Sequence, residues 1–154
     1  MKNIDQKTVT SFGKEWKNFN YNFSNKELFK IFENYFDIFP KKYLNKNSIG
    51  FDMGCGTGRW ANFLANQVKR IYCIDPSKDA LNVAKKNLSM HDNCIFLNES
   101  CNDFSVKDDS MDFGYSLGVL HHVPNIEEGL NNCVKKLKKN SIFLLYLYYN
   151  FDNR

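Results

Sequence analysis

From Ser48 onward, short apolar runs alternate with stretches whose apolar residues recur every three or four positions, a rhythm that few folds accommodate. The runs are Ile49–Met53, Arg70–Ile74, Cys94–Leu97, Met111–Leu117 and Ser141–Tyr149, each of strand length. Between them, Trp60, Phe63, Leu64 and Val68 mark one helix face, and Ala80, Leu81, Ala84 and Leu88 mark a second. Ile126, Leu130, Cys133, Val134 and Leu137 mark a third, with Asn125 placed to cap it and Glu128 to close a capping box. Strand and helix alternating in this way predicts βαβ units. The expected fold class is therefore α/β, a doubly wound sheet of about five parallel strands with helices on both faces. In such a sheet, ligands bind beyond the carboxyl ends of the strands, where strand order reverses.

The stretch ahead of Ser48 reads differently. Met1 to Tyr21 is polar with spaced aromatics, and a helix follows for which Ser24 is the cap. Leu28, Ile31, Phe32, Tyr35, Phe36 and Phe39 recur at helical spacing until Pro40 ends the pattern. Residues 1–47 thus form an N-terminal helical and aromatic segment attached to a core of residues 48–154, within a single domain. The net charge of +4 sits on Lys-rich helix faces. No stripe of Lys and Arg interleaves with aromatics, so no nucleic-acid partner is expected. Five scattered cysteines without a C-x-x-C pair point to a reducing compartment and to no metal site. The start of the chain lacks the apolar core of a signal peptide, and Ile142 to Tyr149 is too short to span a bilayer, so a cytoplasmic protein is expected.

The chemistry concentrates after the first strand, at Asp52-Met53-Gly54-Cys55-Gly56-Thr57-Gly58-Arg59. Alternate glycines let backbone turn sharply and approach a ligand, and the helix that follows presents free N–H groups. Asp75 ends the second strand about 20 residues further on, where a carboxylate can accept both hydroxyls of a ribose. Its bland alternative is a cap on the helix after Pro76-Ser77. Loop and acid together imply an adenosine-bearing cofactor. A dinucleotide loop would need glycine where this chain has Arg59, which disfavours a nicotinamide-linked oxidoreductase.

The pattern D-x-G-C-G-T-G resembles motif I of the class I S-adenosylmethionine-dependent methyltransferases. Ile71-Tyr72-Cys73-Ile74-Asp75-Pro76-Ser77 is similar to that family's second-strand motif, and Ser110 through Pro124 to its fourth-strand motif. The His121-His122-Val123-Pro124 ending resembles small-molecule methyltransferases such as the quinone-biosynthesis group. The resemblance implies a Rossmann-like fold, S-adenosyl-L-methionine as cofactor and a small-molecule acceptor. It implies that Gly54, Cys55, Gly56 and Gly58 line the methionine end, that Asp52 helps hold the amino group, and that Asp75 and Pro76 meet the ribose. Ser100 and Cys101 match the positions at the adenine edge, although many relatives carry Asp in place of Ser100. Leu117 would pass the sulfonium side.

Methyl transfer needs donor and acceptor held in line and, for oxygen or nitrogen acceptors, a base. His121 and His122 are the candidate bases; the bland alternative has one bonding backbone while the other packs. Phe12, Trp16 and Phe19 are candidates for a lid over the cofactor. The resemblance ends at the fifth strand, whereas the family fold carries two more strands. That strand therefore presents an edge through which self-association is expected. A module that binds the cofactor without turnover is the competing reading, and nucleic-acid methylation lacks its N/D-P-P-aromatic signature.

Overall fold

The computed structural model of the protein describes residues 3–18 and 24–148, without the side chains of Phe12 and of residues 16–18. Phe12, Trp16 and Phe19, the expected lid aromatics, thus fall outside the described side chains, as Tyr149 does. The elements in chain order are α1 (Gln6–Asn18), α2 (Asn25–Phe36), β1 (Ile49–Met53), α3 (Arg59–Ala65), β2 (Arg70–Ile74), α4 (Lys78–Asn87), β3 (Cys94–Leu97), β4 (Met111–Leu117), α5 (Ile126–Lys135) and β5 (Leu137–Tyr146). The five strands are parallel and lie in the order β3-β2-β1-β4-β5. This is the Rossmann-like doubly wound sheet expected of the alternation. Strand order reverses between β1 and β4.

Both faces of the sheet are covered. Ile71, Cys73, Phe113 and Tyr115 pack with Trp60 and Leu64 of α3 and with Phe32 and Phe36 of α2. Phe51, Met53, Ile74 and Met111 pack on the opposite side with Cys133 of α5 and Phe104. The central pair of strands interlocks through glycine. Gly50 pairs with Phe113, and Phe51 with Gly114. A Cβ on Gly50 would stand 2.3 Å from the Phe113 ring, and one on Gly114 would stand 2.5 Å from the Phe51 ring. Each glycine leaves room for the ring that the neighbouring strand lays across it.

The helix ends follow local chemistry. Ser24 caps α2 by a full capping box with Glu27, and the Phe32–Phe36 stack (centroids 4.4 Å apart) anchors the aromatic stripe inward. Asp5 starts α1, its carboxylate accepting from Lys7 N at 3.0 Å and from the Thr8 hydroxyl at 2.7 Å.

Three expectations are revised. Helix α5 turns Ile126 and Val134 outward, 38% and 48% exposed, and buries Gly129 beside the expected Cys133. Leu137 in turn belongs to β5, which begins four residues before the expected Ser141 and pairs with Met111 across an irregularity. At the start of α5, Asn125 Oδ1 accepts from Glu128 N, whereas the box to Glu128 is not closed among the described contacts.

Candidate functional site

Beyond the carboxyl ends of β1, β2 and β4, at the point where strand order reverses, lies a cavity of about 330 Å³. Its floor is the glycine loop. Gly54 N and Cys55 N both donate to Ile74 O, at 2.8 and 3.0 Å, which pins the loop to the end of β2. The Ser116 hydroxyl donates to Met53 O at 2.9 Å and ties the end of β4 to the same point. From the other side, Asn87 of α4 donates to Thr57 O at 3.0 Å. Gly54, Gly56 and Gly58 all have left-handed backbone, with φ of 79°, 53° and 76°.

Asp75 closes the arrangement. Its Oδ2 accepts from Gly56 N at 2.9 Å and its Oδ1 from Ser77 N at 2.8 Å. The carboxylate is only 9% exposed and lies on the cavity wall. Burial raises its pKa, while the N–H groups of Ser77 and Gly56 act against that rise. The alternative reading of Asp75 as the α4 cap is met in part: it orients Ser77, and the Ser77 hydroxyl does the capping by accepting from Ala80 N. Asn98 bonds the carbonyls of Asp75 and Pro76, both at 3.0 Å, and so fixes this turn against the end of β3.

Of the residues singled out from sequence, Gly54, Cys55, Gly56, Asp75, Pro76, Ser100, Cys101, Leu117 and His122 share this wall. Three lie off it. Gly58 faces α4, where a Cβ would stand 2.6 Å from the Leu88 side chain, so its place is one of close packing. Asp52 lies under the loop, 2% exposed and beside Tyr115. Neither Asp52 Oδ2 nor the Tyr115 hydroxyl closes a well-formed hydrogen bond among the described residues, although the hydroxyl is near enough to temper the Asp52 pKa. Burial pushes that pKa up to about 8, so the carboxyl is held mainly in its neutral form at neutral pH.

His121 is the third. The two histidines sit on a 3-10 turn, Leu120–His122, with ring centroids 3.9 Å apart, and His121 meets the Tyr148 ring edge-on at 4.8 Å. Both His121 ring nitrogens are buried without a partner among the described residues. Burial lowers the pKa of each imidazole, His122 adding to the effect on His121 and Asp5 opposing it on His122.

Sequence reasoning missed much of the remaining wall. Asn3, Asp5, Thr8 and Glu15 of the N-terminal segment line it, as do Tyr35, Arg59, Trp60, Val119 and Tyr148. The Asp5-x-x-Thr8 start of α1 was a readable helix signal. Arg59 was weighed only for what it excluded. Val119 carried no signal: it fills the space over Gly54, where a Cβ would come within 2.4 Å of it. Among the described residues, no group of three His, Cys, Asp or Glu converges as a metal site, and no helix is long and apolar enough to cross a membrane.

A glycine bend bonded to a buried acid at the switch point of a parallel sheet is an arrangement that recurs in nucleotide-binding α/β folds. Residues 51–145 match the methyltransferase domain family, and the chain belongs to it. Two archaeal relatives are both named as cobalt-precorrin-6B C(15)-methyltransferases (decarboxylating). The one from Methanothermobacter thermautotrophicus is 41% identical over 46 residues, covering 30% of this chain and 24% of the relative. The one from Methanococcus maripaludis is 31% identical over 111 residues, covering 68% and 58%. The chain thus spans 24% to 58% of the length of the curated relatives it matches. Among solved structures, a SAM-dependent methyltransferase from Aquifex aeolicus superposes with a TM-score of 0.60 at 16% identity, covering 90% of this chain and 71% of that one. Phosphoethanolamine N-methyltransferase 1 of Haemonchus contortus, in complex with phosphoethanolamine and S-adenosylhomocysteine, gives 0.68 at 15%, covering 88% and 31%. At such identities these structures share the fold.

Proposed function

We propose that this chain binds S-adenosyl-L-methionine in the cavity and directs its methyl group to a small-molecule acceptor. The observation that carries the reading is the Asp75 carboxylate, held by Gly56 N and Ser77 N on the cavity wall at the switch point. Each of its oxygens keeps acceptor capacity after those bonds, which suits a vicinal diol. Ser100 and Cys101 border the same end and suit the adenine edge, with Pro76 beside the ribose. Gly54, Cys55, Gly56 and Leu117 leave backbone and apolar surface for the methionine end and its sulfur. Asp52, with its orphaned Oδ2 beneath the loop, suits an indirect role toward the amino group, and Gly58 supports the bend. A volume of about 330 Å³ lies within the ordinary range for small-molecule sites.

The bound cofactor supplies a methyl carbon activated by a positive sulfur. The chain's own part is to orient it, to exclude water and to take a proton from the acceptor. His122, on the wall and with its pKa lowered by burial, is in the neutral form such a base needs. His121 supports its ring from behind. Helix α1, which lends Thr8, Val9 and Glu15 to the cavity wall, serves it as a lid. The acceptor named for the curated relatives belongs to those proteins and is not carried to this chain. Calorimetry with S-adenosylmethionine, S-adenosylhomocysteine and NAD tests the reading: the first two are expected to bind and NAD to give no heat. No heat from either sulfur ligand in folded protein would end it. A methyl-transfer screen against small acceptors then tests turnover, with H122A expected to lower kcat about 100-fold while cofactor affinity holds.

A further inference from the structure

We propose that the end of the sheet opposite the cavity is a docking surface for an anionic lipid bilayer, which leaves the cavity mouth facing water. Four segments meet at the amino ends of the strands: the loops 37–48, 66–69 and 88–93, and residues 138–141 of β5. Hydrogen bonds join them edge to edge. Lys46 Nζ donates to Asn66 O at 2.6 Å, and the Asn93 amide donates to Ala65 O and Val68 O at 2.8 and 3.0 Å. The Tyr43 hydroxyl donates to Asn140 O at 2.8 Å. Asn140 is left-handed, with φ of 64°, and residues 138–141 lie between the Met111–Leu137 and Phe113–Ile142 pairs, out of register with β4.

Charge gathers on this end. Lys41, Lys42, Lys46, Lys69, Arg70 and Lys139 are all exposed there, and none forms an ion pair among the described residues. Lys138 beside them is held by Asp112 at 2.7 Å. The acids of the same segments are Asp37 and Asp92. Six cations against two acids give a net +4, as large as that of the entire chain, so the charges elsewhere cancel, those of the Lys-rich helix faces included. The two most exposed large apolar side chains among the described residues lie on the same loops: Met90, 90% exposed, and Ile38, 77% exposed. Apolar tips set among lysines suit a headgroup layer, where the cations meet phosphates and the tips reach the acyl boundary. A nucleic-acid strand would need free rings for its bases. The aromatics of these segments are Phe39, buried against Phe113, and Tyr43, bonded to Asn140 and with Lys42 Nζ 5.1 Å from its ring centroid. The bilayer reading is independent of the cofactor reading, since no residue it uses lines the cavity.

The test is co-sedimentation of the full chain with vesicles of phosphatidylcholine alone, or with about 30% phosphatidylserine, at about 0.1 M salt. Binding to the anionic vesicles is expected to be at least about tenfold tighter than to the neutral ones and to weaken as salt rises. K69E/K139E is expected to weaken it at least about 30-fold, and I38S/M90S about five- to tenfold. K7E/K14E reverses two exposed charges on α1, beside the cavity, and is expected to stay within about threefold of the wild type. Equal loss in K7E/K14E would assign the binding to overall charge and overturn the proposal. Equal binding to both vesicle types, or binding to neither, would overturn it too. Single-stranded RNA bound as tightly as the vesicles, and indifferently to I38S/M90S, would assign this end to nucleic acid instead. Thermal unfolding without vesicles confirms that each variant is folded, and K41E/K42E supplies a second charge reversal should K69E/K139E unfold.

Discussion

Asp75 holds backbone with both oxygens and still faces the cavity, so its loss has two effects. In D75A, the proposed cofactor contact and the brace on Gly56 go together, and S-adenosylhomocysteine affinity is expected to fall at least about 100-fold by calorimetry. D75N keeps one acceptor and places an amide against an N–H donor, and is expected to lose about as much. Asp52 gives a prediction of a different kind. Its folded pKa, about 8, lies above its unfolded value near 3.8. Its contribution is therefore fully present below about pH 4 and drains away as pH rises toward 8. Urea unfolding should show stability falling from pH 5.5 to 7.5, with D52N flattening that slope and gaining at least about 1 kcal/mol at the upper pH. The sequence marked both acids, because motif position identified them. It could not tell which would reach the cavity, since that depends on strand facing: Asp52 shares a face with Cys73 and Tyr115 under α3, whereas Asp75 lies past its strand's end.

The elements were legible wherever apolar periodicity spoke. All five strands and the helices after Ser24 lie near their expected places. The exceptions have physical reasons. Helix α1 draws its start from the polar Asp5–Thr8 bonds rather than from an apolar stripe, and β5 takes over Leu137 because pairing with Met111 outweighs one more helical turn. The reciprocal seating of Phe113 on Gly50 and Phe51 on Gly114 was invisible for another reason: only the strand register reveals it. G50A is expected to destabilise the fold by about 1–3 kcal/mol through overpacking, and F113L in the same chain to recover part of that loss in denaturant unfolding. G58A should be worse than a simple clash, because left-handed backbone adds its own cost of about 1 kcal/mol to the collision with Leu88.

Across the whole molecule, the proposed cofactor binding is expected to be linked to folding. The cavity joins the N-terminal segment to the ends of three strands, so a ligand there stabilises distant parts at once. S-adenosylhomocysteine at 100 times its Kd is expected to add about 2.7 kcal/mol and to raise Tm by about 5–10 °C. Strand β5 has β4 as its one neighbour among the described residues, and its outer edge carries the half-exposed Tyr146. Light scattering is expected to show association growing with concentration, through that edge; a monomer at every concentration would refute it.

Asn3 and Asn125 sit 122 positions apart and are joined by two bonds: the Asn3 amide donates to Asn125 O at 2.6 Å, and Asn125 N donates back to Asn3 Oδ1. Asn3 itself is buried. This clasp fastens the start of the chain to the turn that precedes α5, beside the two histidines. A substitution that removes the Asn3 amide would therefore pry at the mouth of the cavity, which Asn3 itself lines.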